Sequence, residues 1–138
     1  MQGVSLNRWD IPDELIEQYR LSERITRRDN GPLEVQFLYR KRPRLLPVWY
    51  GGSLVLMPWL GWCPLEELEA GVWKEKHPKR VDIPATYCID RGIWYQINEG
   101  VQGVIVRRQV YPITIPSSNY YRVMTRSQRM PLLIGEQF

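Results

Sequence analysis

The stretch 81-VDIPATYCIDRGIWYQINEGVQGVIVRRQVYPITI-115 decides the fold class. It divides into VDIPATYCI, IWYQI and GVIVRRQVYPITI, with turn signals at Asp90-Arg91-Gly92 and Asn98-Glu99-Gly100. β-branched and aromatic residues crowd the segments, while Asp, Asn and Gly supply the φ freedom that tight turns need. Such a pattern reads as strands joined in sequence by hairpins.

The same grammar extends upstream. LLPVWY (45–50) and SLVLMPW (53–59) flank Gly51-Gly52 as a further hairpin, and LEVQFLYR (33–40) alternates as a half-buried strand does. No residue from Leu45 to Leu65 is charged, which is long enough to span a bilayer as a helix. Pro47, Gly51, Gly52, Pro58 and Pro64 would break that helix, so a hairpin is expected and a membrane partner is not. Two helices are expected. One starts at Pro12, with Asp13 and Glu14 beside its positive dipole end, and runs to about residue 21. The other starts at Pro64 and runs to about Lys76, with Leu65, Leu68 and Val72 as its apolar stripe. Downstream, Ile113-Thr114-Ile115 enters a Ser117-Ser118-Asn119 turn, followed by Arg129-Met130-Pro131 and an apolar run. The expected architecture is one α+β domain spanning residues 1–138. It is a mainly antiparallel, barrel-like fold with one or two peripheral helices.

Composition narrows the function. The formal net charge is +4, and residues 20–44 hold eight Lys/Arg against three acids. A basic stripe of this kind suits a polyanion, most commonly nucleic acid, although a solvated Arg-rich face has the same composition. Six Trp and eight Tyr supply stacking surface as well as core. The single His (His77) and two well-separated cysteines cannot make a Cys/His zinc site, so no metal or cofactor is expected. Cys63 and Cys88 read as buried, reduced thiols. With no basic-then-apolar leader pattern at the N-terminus, a cytoplasmic location is expected. No Walker or dinucleotide fingerprint is present, and Ser117, Ser118 and Ser127 lack a credible histidine partner.

The order of several short motifs resembles the SOS response-associated peptidase family, whose members sense abasic sites in single-stranded DNA. Ser127-Gln128-Arg129-Met130-Pro131 sits in the frame of the family's His-Asp-Arg-Met-Pro, after a strand and a polar turn. Met57, Trp59, Gly61 and Pro64 fall in the frame of its Met-Arg-Trp-Gly segment. Gly92-Ile93-Trp94-Tyr95-Gln96 falls in that of its Gly-Phe-Tyr-Glu-Trp strand. The resemblance implies a catalytic Cys after the initiator Met, a Glu and a His. Here Gln2 stands for the Cys and Ser127 for the His. The Glu position is Gln96, or Asp90 in a second register; the aromatic pair and following turn favour Gln96. No thiolate nucleophile is then available at the start of the chain.

Three readings follow. The first is a catalytically degenerate relative of that family that binds single-stranded or junction DNA. Its contacts would come from Arg27, Arg28, Arg40, Lys41, Arg42, Arg44, Arg107, Arg108, Asn119 and Arg129, with stacking on exposed aromatics. The second is a protein-interaction module, an inhibitor or an assembly component, using a Trp/Tyr-rich face. The third is a residual enzyme with a displaced nucleophile such as Cys88.

Overall fold

A computed structural model describes residues 1–138. Twelve strands form in chain order: Gly3–Asn7 (β1), Ile25–Arg27 (β2), Leu33–Leu38 (β3), Leu45–Tyr50 (β4), Ser53–Pro58 (β5), Cys63–Pro64 (β6), Lys79–Pro84 (β7), Tyr87–Asp90 (β8), Ile93–Gln96 (β9), Gly100–Val106 (β10), Gln109–Pro116 (β11) and Arg129–Pro131 (β12). Three short helices join them: Asp13–Gln18 (α1), Leu65–Glu69 (α2) and Asn119–Thr125 (α3). The chain is α+β.

The strands make two sheets rather than one closed barrel. The first has the order β2-β3-β1-β8-β9, and the second β12-β11-β10-β7-β4-β5, with β6 parallel to β11. One core of 27 buried residues draws on both sheets. Val4, Leu6, Val35 and Phe37 come from the first, and Leu46, Val48, Ile83, Val101 and Val110 from the second. Along β10, side chains alternate in direction. Ile105 joins this core, while Val104 and Val106 join a second cluster with Cys63, Trp73 and Ile113. Covering both faces explains why β10 reads as a nearly unbroken apolar run.

The hairpin at 45–58 forms with Leu46 opposite Met57, and Gly51 and Gly52 both take positive φ in its turn. Sequential pairing fails on both sides of the β8–β9 hairpin: Asn98-Glu99-Gly100 is no hairpin turn, because β9 lies in the first sheet and β10 in the second. VDIPATYCI is not one strand: β7 lies in the second sheet and β8 in the first. The β8–β9 hairpin is an excursion, and β7 pairs with β10 behind it, Pro84 opposite Gly100. Pro84 has no N–H to continue a ladder. The next donors turn elsewhere, Ala85 N to Glu99 O and Thr86 N to Ser5 O. Gly100 closes the excursion at φ +149°, where a Cβ would sit 2.2 Å from the Ile83 carbonyl oxygen.

Both expected helices are shorter than their apolar stripes imply. Arg20 enters the left-handed region (φ 53°) and ends α1, and the 3₁₀ turn Leu21–Arg24 follows. Gly71 does the same to α2 at φ +79°, leaving Lys74–Lys76 as a 3₁₀ turn. Conversely, the Ser-Ser-Asn segment is a helix start. The Ser118 hydroxyl accepts from Tyr121 N and caps α3.

Candidate functional site

Strand β1 runs between β3 and β8, and this carries the N-terminus into the protein. Gln2 N donates to Ile89 O, and Tyr39 N donates to Gln2 O. Met1 is therefore buried, and its ammonium lies 3.2 Å from Asp90 Oδ2. The Tyr121 hydroxyl, brought in by α3, donates to the same carboxylate oxygen at 2.8 Å. Tyr95 OH lies 2.7 Å from Tyr121 OH, and Phe138 packs against both rings. Burial holds both phenols well above the usual tyrosine range. Burial also pushes the Cys88 thiol up to about 12, although the ammonium nearby pulls the other way. A thiol so placed is a neutral core group rather than a nucleophile. Cys63 is likewise raised by burial, to about 11.

The positions set by the family resemblance separate. Asp90 faces the N-terminal amine. Gln96 is exposed on β9, paired with Tyr87 opposite Ser5, two residues along the ladder from the Gly3–Ile89–Trp94 row. The two-residue turn at Arg91-Gly92 accounts for the difference, because it sets Asp90 opposite Ile93 at the open end of the first sheet. Gln2 does not reach into the cluster: its Oε1 accepts from Arg91 N at the surface. Ser127 is buried behind α3, where its N–H bonds Thr125 Oγ1, which in turn donates to Tyr121 O. Tyr121 is the linking residue that sequence reading missed. Its only sequence signal is an aromatic three residues after a capping Ser.

Outside this cluster, four clefts share walls. The first, about 320 Å³, is lined by Gln2, Leu38, Tyr39, Arg40 and Trp62 among others. Leu38 also borders a cleft of about 240 Å³ with Glu23, Arg24 and Lys41. Those three residues border the next, about 380 Å³, with Tyr19, Arg20 and Arg42. Tyr19 then borders the largest, about 810 Å³, with Tyr50, Lys79, Arg107 and Arg108. Together they are lined by eight Lys/Arg and a single carboxylate, Glu23. Arg40, Lys41 and Arg42 thus line a track of neighbouring clefts whose link to Arg107 and Arg108 is Tyr19 alone. Arg20, Arg24 and Lys79 join it; the sequence reading did not select them as sites, and Lys79 is distant from the basic stripe in the chain.

The remaining candidates do not line these clefts. Arg27 is exposed on β2, and Asn119 is exposed at the start of α3. Arg28, Arg44 and Arg129 each make contacts within the protein. Arg28 pairs with Glu34 at 3.2 Å and lies over the rings of Tyr87 and Trp94. Arg44 donates to Tyr39 O at 2.6 Å and covers that ring. Arg129 forks onto Glu66 at 2.7 and 3.0 Å and also reaches Thr114 O. Arg28 and Arg129 each have a carboxylate in reach, Arg44 has a backbone carbonyl, and Nε of Arg28 is left without a partner. Of the aromatics, Trp59 is fully buried and Tyr95 belongs to the cluster.

Comparison of the chain with protein-family models, curated proteins and solved structures finds no match. No helix is long and apolar enough to cross a membrane, and no group of three or more His, Cys, Asp or Glu is placed to hold a metal ion.

Proposed function

We propose that this protein binds single-stranded DNA without acting chemically on it, laying the strand along the four neighbouring clefts. The observation that supports this is the track itself: eight cations and one acid, with Trp62 at one end and Tyr50 at the other. Cations spaced along a groove suit a phosphate backbone, and partly exposed rings suit unpaired bases. The first cleft also contains Gln2, the residue at the nucleophile position of the family resemblance. On this reading the protein is a degenerate relative that keeps a groove, lacks the reactive thiol and no longer gathers Gln2, Gln96 and Ser127 into one site.

A second feature agrees. Arg107 and Arg108 form the two-residue β10–β11 turn, both at positive φ (52° and 62°). Such turns favour Asn-Gly, and a long side chain in the left-handed region costs about 1–2 kcal/mol per residue. Two arginines held there at a cost to stability suit a binding role.

The test is a binding panel of single-stranded, duplex, forked and abasic oligonucleotides at several salt concentrations. The single strand binds tightest, and its affinity falls with salt at a slope of about −0.7 per phosphate contact. Replacing Arg40, Lys41 and Arg42 with Ala flattens that slope by roughly two units. Abasic DNA gives no heat- and SDS-stable adduct. Absence of binding to any DNA at low salt overturns the reading. A protein partner then leads, favoured by Tyr120 and Val123, which are exposed three residues apart on α3.

A further inference from the structure

Arg24 is the most buried cation of the track, at 6% exposure. Its Nη2 donates to Pro43 O at 2.7 Å, while its Nη1 is shut off from solvent with no partner in the protein. No carboxylate lies within ion-pair distance of it. A buried guanidinium normally has its donors satisfied, because an unpaired buried charge is costly. Burial accordingly lowers its pKa from the ordinary arginine value. Arg24 forms part of the wall between two clefts, and both also contain Glu23 and Lys41. Glu23 and Lys41 are exposed, and neither is held in an ion pair. Arg20 and Arg42 complete the larger cleft, so four cations face one carboxylate in about 380 Å³.

We infer that the Arg24 cleft is a binding site for a phosphoryl oxyanion, with Nη1 of Arg24 as its innermost donor. Nη1 is shut off from solvent, so the site requires the wall to shift, and Glu23 and Lys41, exposed and outside any ion pair, are the lining side chains free to move. The guanidinium fork matches two phosphate oxygens, and Lys41, Arg20 and Arg42 neutralise the remaining charge. The anion site stands on its own observations. Taking a nucleic-acid phosphate as its natural source rests on the reading of the track.

The probe is inorganic phosphate, titrated at constant ionic strength against chloride. Phosphate raises the melting temperature where chloride does not. It also shifts the Arg24 side-chain N–H resonances in ¹⁵N-labelled protein. Lys41→Ala, an exposed change that leaves the fold intact, weakens phosphate binding by roughly tenfold, the scale of one lost charge-assisted contact. Arg24→Lys removes the fork and abolishes the effect. If that variant does not fold, the Lys41 variant and the Arg24 resonances decide. Phosphate that stabilises no more than chloride, or a response unchanged by Lys41→Ala, overturns the site. A second arm compares oligonucleotides with and without a 5′-phosphate. Salt-dependent DNA binding with no phosphate effect at Arg24 defeats this inference and leaves the track standing. Phosphate binding at Arg24 with no DNA binding does the reverse, and makes free phosphate or a small phosphate ester the ligand.

Discussion

The ammonium of Met1 lies 3.2 Å from Asp90 Oδ2, with both groups buried. This pair ties the first residue of the chain to the tip of the β8–β9 hairpin. Tyr121 then ties α3 to the same oxygen. Two distant segments, the N-terminus and α3, thus meet on one carboxylate of the hairpin.

Asp90→Asn should therefore be strongly destabilising. It leaves the ammonium buried without a counter-charge, which costs about 3–5 kcal/mol. Urea denaturation followed by tryptophan fluorescence measures it. A change below about 1 kcal/mol, the range of an exposed ion pair, would show that the amine is hydrated and the cluster open.

Alkaline pH should weaken the fold. The folded-state pKa of Cys63 is raised from 9.0 to about 11 and that of Cys88 to about 12. The unfolded chain thus loses these protons first, and stability falls as pH rises from about 9 toward 12. Tyr95 and Tyr121 are shifted in the same direction and add to the loss at the upper end. Below pH 9 the thiol contribution is fully present. Stability measured across pH 8–11 should decline, and Cys88→Ala should make that decline shallower. An identical slope in the variant would show that Cys88 does not titrate with unfolding.

The β10–β11 turn should show stability and binding moving in opposite directions. Arg107→Asn with Arg108→Gly relieves two positive-φ side chains and should stabilise the fold by about 1–2 kcal/mol. The same variant should weaken single-stranded DNA binding and reduce the salt slope by about 1.4. Unchanged affinity would remove these arginines from the interface.

Gly100 should tolerate no side chain. At φ +149°, with the Ile83 carbonyl oxygen 2.2 Å from a Cβ, Gly100→Ala must displace β7 or β10. A loss of about 2–4 kcal/mol is expected from strain and disrupted pairing. Gly51→Ala, where a Cβ meets nothing within 4 Å, carries the φ penalty alone and should cost less.

Local chemistry determined much of this protein. Gly51-Gly52 and Asp90-Arg91-Gly92 specify their hairpins because turn conformation is decided by the few residues in the turn. Apolar alternation marks β3, and the uncharged run broken by prolines reads as the strands β4 and β5. Asp90 was visible as one of two registers for an acidic position, yet nothing local placed Met1 against it; the β1–β8 pairing did so. The partition of 81–90 between two sheets was also out of reach, since β7 pairs with β10 across the intervening hairpin rather than with its neighbour in the chain. The electrostatics depended on the same kind of information. Arg28, Arg44 and Arg129 look like Arg40 and Arg42 in one dimension. They differ because Glu34, the Tyr39 carbonyl and Glu66 lie in reach of the first three. Side-chain type and turn chemistry are properties of neighbours in the chain, whereas burial and charge pairing depend on neighbours in space, and here the strand pairing supplies those neighbours.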